Sequence, residues 1–322
     1  MHTIKELQEK VSELFDNRQY IANPKELYEP IQYSLSRGGK RLRPLLSLIS
    51  CSLFGGKLED VYNSAIGLEI FHNFTLLHDD IMDKSPLRRG LPSVYQKWNA
   101  NTAILSGDTM FVLAYEYVAK TKPEILVDTI HAFNKTAREV CEGQQYDMNF
   151  ESESRIGVED YMKMIRLKTA VLIAAALKIG AIAAKASKDN IEKIYDFGIL
   201  IGLAFQLRDD YLDAFGDQDV FGKPIGNDIL TNKKTYLYIK SFELAKGENL
   251  DRLKKAFEIE NPKKKVKEVL NMYDLLSIKK ITQNKIEELY ANSLDILNKL
   301  EINESDKKEV YSFLQQLIKR EV

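Results

Sequence analysis

FHNFTLLHDDIMD (residues 71–83) and GLAFQLRDDYLD (residues 202–213) decide the reading of this chain. In both, apolar residues recur at three- and four-residue spacing, the period of a helix that buries one side. Both end in Asp-Asp-x-x-Asp: Asp79, Asp80 and Asp83 in the first, Asp209, Asp210 and Asp213 in the second. On an α-helix, positions i, i+1 and i+4 lie on one side of the cylinder. Each stretch therefore gathers three carboxylates on one face. Alone, that is unfavourable: like charges at i,i+4 repel, and Asp is a poor helix former. Carboxylates beside a core also need partners. Hard divalent cations supply the missing charge, and they take oxygen ligands from carboxylate and phosphate together. The repeated motif points to a metal-bridged diphosphate.

Helical periodicity extends outward from both stretches. Runs cover residues 3–16, 24–36, 41–54, 59–83, 100–119, 123–148, 159–185, 189–214, 233–246, 263–275, 279–300 and 306–320. Asn23-Pro24 reads as an N-cap with Pro at the first helical position, and Ser305 as the cap of the last run. Gly38-Gly39, Gly55-Gly56, Pro86 to Pro92 and Gly216 to Gly226 punctuate the runs. No period-two alternation with hairpin turns is sustained. The fold class is all-α. No linker or composition break divides residues 1–322, which reads as a single domain.

Composition sets the outer bounds. The chain has 322 residues, 44% hydrophobic and 29% charged, and a net charge of −1. That near-neutral balance argues against a broad nucleic-acid surface. Cys51 and Cys141 form neither a disulfide framework nor a zinc pattern, which reads as a reduced, cytoplasmic setting. The N-terminal MHTIKELQEKVSELF is charged and amphipathic, without a signal-peptide core. The longest apolar stretch, AVLIAAALKIGAIAA, is interrupted by Lys178 and too short for a membrane span. The lysine-rich NPKKKVK at 261–267 reads as a solvated loop and helix start.

Basic residues complement the acidic motifs. Gly38-Gly39-Lys40-Arg41-Leu42-Arg43-Pro44 is a turn entering a helix, where backbone amides beside Lys40 and Arg43 suit an anion. Arg88-Arg89-Gly90 follows the first motif, and adjacent arginines on a loop point to different phosphates. Lys223 and Lys233 follow the second motif in FGKPIGNDILTNKKT. Each acidic cluster thus has a basic loop directly downstream. His72 lies seven residues before Asp79, about two helical turns, and alone also reads as a core histidine. Lys168, Thr169 and Gln206 interrupt apolar helices; a buried polar group costs energy unless paired. Each of these three alone reads as structural as readily as functional.

In order, GGKRLRP, LLHDDIMD, LRRG, GQQYD, LKTA, FQLRDDYLD and GKPIGND…KKT resemble the trans-isoprenyl diphosphate synthases, or polyprenyl synthetases, over residues 30–240. The resemblance implies an antiparallel helical bundle around a central cavity, usually in a homodimer. It implies a Mg²⁺-dependent prenyltransferase that joins isopentenyl diphosphate head to tail with an allylic diphosphate: dimethylallyl, geranyl or farnesyl. Asp79, Asp83 and Asp209 then match the direct metal ligands. Asp80, Asp210 and Asp213 support them or bind through water. Arg88, Lys168 and Lys223 match contacts to the allylic diphosphate, and Lys233 also serves the leaving group. Lys40, Arg43, His72 and Arg89 match the isopentenyl diphosphate site. Gln206, Thr169 and the backbone around Lys168 match groups that stabilise the carbocation. The Lys319-Arg320 tail resembles the basic terminus that closes over the site in some members.

In the resembled family, bulky residues about one turn before the first motif form the cavity floor. Phe74 lies five positions before Asp79, about 7.5 Å along a helix; Thr75, one position later, is much smaller. This context resembles geranylgeranyl diphosphate synthases. Farnesyl-type enzymes carry two aromatics there or a two-residue insertion in the first motif, and this chain has neither. The expected product is geranylgeranyl diphosphate, with farnesyl diphosphate the alternative. A class I terpene cyclase replaces the second motif with an Asn/Ser/Glu-type triad, and a non-catalytic partner subunit loses an acidic motif or the loop arginines. Neither change is present.

Overall fold

The computed structural model describes residues 2–16, 18–153, 155–216 and 226–319. In chain order the elements are α1 (Ile4–Asp16), α2 (Lys25–Ser36), α3 (Leu42–Leu53), α4 (Glu59–Met82), β1 (Leu87–Arg88), β2 (Leu91–Pro92), α5 (Val94–Lys97), α6 (Ala100–Val118), α7 (Pro123–Ser152) and α8 (Val158–Ile165). A π-helical turn at Arg166–Ala170 leads into α9 (Val171–Ala183) and α10 (Lys188–Phe215). After these come α11 (Asn227–Leu230), α12 (Tyr236–Leu244), α13 (Glu248–Phe257), α14 (Pro262–Leu275), α15 (Ile278–Asn298) and α16 (Glu304–Lys319). Among the described residues the only sheet is the antiparallel pair Leu87↔Pro92, Arg88↔Leu91. The fold is all-α, as expected.

Residue contacts gather into two compact units. The first takes the chain through Lys135 with Ala175–Tyr195 and Glu301–Glu309. Here α4 packs against α3 and α6. Residues 65–71 of α4 are buried on every side, which is why this stretch, Glu69 apart, is apolar all round instead of striped. Leu68, Ile70 and Phe71 are fully enclosed, each worth about 1.5–3 kcal/mol of burial. Past Phe71 the helix turns half-buried and delivers the first acidic motif at its C-terminal end.

The second unit takes Thr136–Ala174, Asp196–Leu300 and the chain from Val310. In α10 the buried residues Phe197, Ile201, Ala204, Leu207, Tyr211 and Ala214 recur at three and four, a continuous inward stripe. Asp210 lies on that stripe and is itself buried. Two glycines let their helices press closely on the π turn. A Cβ on Gly143 of α7 would stand 2.3 Å from the backbone nitrogen of Lys168, and one on Gly202 of α10 would stand 2.5 Å from the Cα of Ala170. Only glycine lets both helices approach this close.

Several boundaries differ from the sequence reading. The run 159–185 is not one helix, because the π turn divides it. α13 was not among the expected helices. Pro24, in extended backbone, holds the cap position of α2, and Ser305 lies inside the first turn of α16. No described helix is long and apolar enough to cross a membrane.

Candidate functional site

In the first unit the acidic motif and the arginine loop are bonded together. Arg88 grips one oxygen of Asp80 with two donors, Nε at 2.9 Å and Nη2 at 2.6 Å, and Nη2 lies 3.7 Å from Asp79 Oδ2. Asp80 is 3% exposed. Burial raises its pKa, the Arg88 bond opposes this, and the charge of Asp79 raises it further. Asp79 is half-buried, while Asp83 caps the helix, exposed. Arg89 turns the other way and donates to the carbonyl of Gly38. Gly39, at φ +135°, leaves room for it: a Cβ there would stand 2.9 Å from the guanidinium. The two arginines therefore have different protein partners.

Arg43 and His72 share one electrostatic neighbourhood. Burial, then the charges of Arg43, Arg89 and Arg88, push the His72 imidazole well below its usual range. Burial pushes Arg43 down to about 10, so it stays charged at neutral pH. A residue missed in the sequence reading balances them. Glu69 is buried on α4, accepts from Asn73 at 3.2 Å and lies 4.0 Å from Arg41. Burial raises its pKa, and Arg43, Arg41 and Arg89 draw it down. Lys40 is exposed on the same turn.

Phe74 sits in a ring cluster one turn and more below the motif. Its ring is stacked on Phe111 of α6 with centroids 5.2 Å apart and planes at 11°. Phe71 lies 5.5 Å away, and His78 meets Phe74 edge-on at 4.8 Å. Phe71 also reaches Phe133. Thr75 turns its hydroxyl back to the carbonyl of His72 at 2.8 Å. The sequence gives Phe111 no signal beyond helical periodicity.

In the second unit, adjacent residues of the π turn serve different helices. Lys168 pairs with Asp147 of α7 at 2.7 Å, and Thr169 donates to Gln206 of α10 at 2.9 Å. Asp147 stands in the GQQYD stretch, without a role in the sequence reading. Its burial would raise its pKa, but the charges of Lys233 and Lys168 hold it below the usual value. Gln206 donates onward to Asp210 Oδ1 at 3.1 Å, and Tyr161 of α8 donates to Oδ2. Asp210 is raised to about 7 by burial and by the nearby charge of Asp228, against the Tyr161 and Gln206 bonds. Asp213 Oδ2 accepts from the backbone nitrogen of Asp228 at 2.9 Å. A small pocket is lined by Asp210, Asp213, Asp228, Lys233 and Tyr273. Asp228 was visible in the GND stretch; Tyr161 lies seven residues before Lys168 and carried no signal. Lys223 and Arg320 lie outside the described residues, as does the side chain of Lys319.

The donor set fits a hard divalent cation. All six motif residues are carboxylates, and within each unit a neighbouring acid raises one of them, Asp79 raising Asp80 and Asp228 raising Asp210. Among the described residues no three His, Cys, Asp or Glu form a ready-made cage. Mg²⁺ does not require one: it keeps waters and takes one or two carboxylates plus substrate phosphates.

Residues 24–276 match the sequence profile of the polyprenyl synthetase family. The chain is 40% identical over 250 residues to the geranylgeranyl diphosphate synthase of Methanosarcina mazei, covering 77% of this chain and 76% of that protein. It is 38% identical over 253 residues to the geranylfarnesyl diphosphate synthase of Natronomonas pharaonis, covering 73% and 74%. A crystal structure of a geranylgeranyl pyrophosphate synthase aligns with a TM-score of 0.94 at 43% identity over 99% of each chain.

Proposed function

The chain belongs to the polyprenyl synthetase family, and from that premise we propose that it joins isopentenyl diphosphate head to tail with an allylic diphosphate and releases geranylgeranyl diphosphate. The observation that carries the product length is Phe74 stacked on Phe111, backed by Phe71 and Phe133, below the first motif. A growing chain that reaches such a ring cluster meets packed aromatic side chains.

Asp79, Asp83 and Asp209 are assigned to Mg²⁺, with Asp80, Asp210 and Asp213 supporting. The bonds that occupy Asp80 and Asp210 suit that supporting role. Bound Mg²⁺ would supply positive charge to the diphosphate as it leaves. Arg88, Lys168, Lys223 and Lys233 are assigned to the allylic diphosphate. They stabilise the negative charge that develops when the allylic carbon–oxygen bond breaks and its electron pair departs with diphosphate. Lys40, Arg43, His72 and Arg89 are assigned to isopentenyl diphosphate. Its double bond attacks the allylic carbon to form the new carbon–carbon bond, and the resulting cation loses a proton to the released diphosphate. Thr169 and Gln206 are assigned to stabilising the cation. No protein nucleophile is needed.

We read the active form as a homodimer in the cytoplasm. Ile104, Leu105 and Val112 of α6 and Val127 of α7 are exposed large apolar residues, the kind of surface a partner covers. Both cysteines are free, in keeping with a reducing compartment. The chain is read as one synthase domain, supported by its likeness to a single solved chain over 99% of its length.

The test is incubation with labelled isopentenyl diphosphate, each allylic diphosphate in turn and Mg²⁺, followed by chromatography of the dephosphorylated products. Geranylgeraniol is expected. Farnesol or geranylfarnesol would overturn the length. A cyclic hydrocarbon from geranylgeranyl diphosphate alone would indicate a cyclase, and no product a partner subunit.

A further inference from the structure

A circuit of three hydrogen bonds, closed through the backbone, joins two segments of the second unit. Segment 161–169 contributes Tyr161 at one end and Thr169 at the other; segment 206–210 of α10 contributes Gln206 and Asp210, one turn apart. Tyr161 donates to Asp210 Oδ2, Gln206 Nε2 donates to Asp210 Oδ1 at 3.1 Å, and Thr169 Oγ1 donates to Gln206 Oε1 at 2.9 Å. Tyr161 and Asp210 are buried, at 2% and 5% exposure.

The circuit has a direction. Tyr161 and Gln206 both turn hydrogens toward Asp210, the tyrosine its hydroxyl and the glutamine its amide NH₂. That fixes the amide of Gln206: its NH₂ faces Asp210 and its oxygen faces Thr169. The oxygen in turn takes the hydroxyl proton of Thr169. Thr169 Oγ1 is left with lone pairs and no proton to offer elsewhere. An oxygen in that state attracts a carbocation; one presenting its proton repels it.

We propose that Tyr161 is a positioning residue of the prenyl transfer: by pinning Asp210 it sets the direction of the circuit and keeps Thr169 electron-rich toward the allylic cation. This rests on the roles given above to Thr169 and Gln206. Without the tyrosine hydroxyl, Asp210 Oδ2 loses its donor, the carboxyl group is free to turn, and the amide of Gln206 is no longer held in one orientation. The tyrosine ring is not needed for that function, only its O–H.

The experiment uses Tyr161→Phe, which keeps the ring in its buried place. Far-UV circular dichroism and a thermal melt check the fold. Losing the hydrogen bond that holds Asp210 should lower kcat roughly tenfold. KM for isopentenyl diphosphate should stay within about twofold of wild type, since Tyr161 touches none of its assigned residues. Binding of inorganic pyrophosphate with Mg²⁺, measured by calorimetry, should also be unchanged. Thr169→Val should cause a similar loss, and the double variant should be no worse than the worse single, because both act through one circuit. A wild-type kcat in Tyr161→Phe overturns the proposal. So do losses that multiply in the double variant, or a fall in pyrophosphate binding that matches the fall in kcat. If Tyr161→Phe does not fold, Thr169→Ser and Thr169→Val decide. Serine keeps the donated hydroxyl and should retain kcat, valine should not, and equal rates overturn the proposal. A wild-type chain that makes no prenyl diphosphate fails the functional reading itself, a different result from an active wild type matched by Tyr161→Phe.

Discussion

Phe74 and Phe111 lie face to face, 5.2 Å between centroids and 11° between planes, with Phe74 on α4 and Phe111 on α6. In the proposed function this pair of rings from two helices stops the growing chain, so truncating either should make room for it. Phe74→Ala should lengthen the product by at least one isoprene unit, and Phe111→Ala should act in the same direction. The double variant should extend it further. Each truncation should also cost stability, about 2–4 kcal/mol for a largely buried ring. Product chromatography reads the length and a thermal melt the cost. An unchanged product profile in both single variants would remove the pair from this role.

Arg88 holds a buried carboxylate with two bonds to one oxygen. Arg88→Leu would leave Asp80 buried and unpartnered, which should lower stability by roughly 1–3 kcal/mol at neutral pH. Arg88→Lys keeps the charge but has no planar fork, so it should recover only part of the loss. Both variants should raise KM for the allylic diphosphate more than KM for isopentenyl diphosphate. Urea unfolding and paired substrate titrations measure the two effects; equal rises in both KM values would argue that Arg88 does not discriminate between the substrates.

The elements that sequence made legible are those whose pattern is local. α4 and α10 announce themselves by spacing, and their acidic ends by repetition. What was hidden depends on neighbours far along the chain. Gly143 and Gly202 let two helices press closely on the π turn, and neither glycine lies near it in sequence. Tyr161 carries no local signal of its role, because its partner Asp210 lies 49 positions later. Glu69 sat unmarked in an apolar run, although it is the buried carboxylate among the arginines. Short α13 was missed because ten residues carry too few apolar repeats to stand out.

Gly202 supports a prediction with a defined steric cause. A Cβ there would stand 2.5 Å from the Cα of Ala170 and 2.7 Å from its Cβ, so the π turn must move. Gly202→Ala should cost about 1–3 kcal/mol by overpacking. It should also lower kcat more than it raises KM for isopentenyl diphosphate, because the displaced Ala170 directly follows Lys168 and Thr169 in the turn. Full activity in a folded Gly202→Ala variant would show that the turn's geometry is not needed.

Leu105 and Val112 stand two turns apart on one face of α6, exposed by 60% and 58%, and Val127 of α7 is exposed by 64%. If a second copy covers this face, Leu105→Glu should place a charge in an apolar contact and shift the protein from twice the chain mass toward one. Light scattering across a concentration series reads the mass. A wild type that runs as a monomer at every concentration would sink the homodimer reading.

His72 supplies a pH dependence whose sign can be worked out. Its imidazole is held well below its usual range by burial and by Arg43, Arg89 and Arg88, so it stays neutral in the folded chain near neutral pH. In the unfolded chain it protonates at about 6.5. Between that value and its lower folded pKa, the unfolded state binds the extra proton. The group's contribution is therefore fully present above about pH 6.5 and is lost as the pH falls below it, at about 1.4 kcal/mol per pH unit. His72→Gln keeps a neutral polar side chain and removes the titration. The difference in unfolding free energy between wild type and His72→Gln, measured by urea at pH 7 and pH 5 without Mg²⁺ or substrate, should shift against wild type at the lower pH. Other titrating groups cancel in that difference. A gap that is the same at both pH values would mean that the folded imidazole takes up its proton as readily as the unfolded one, and that the surrounding arginines do not hold it neutral.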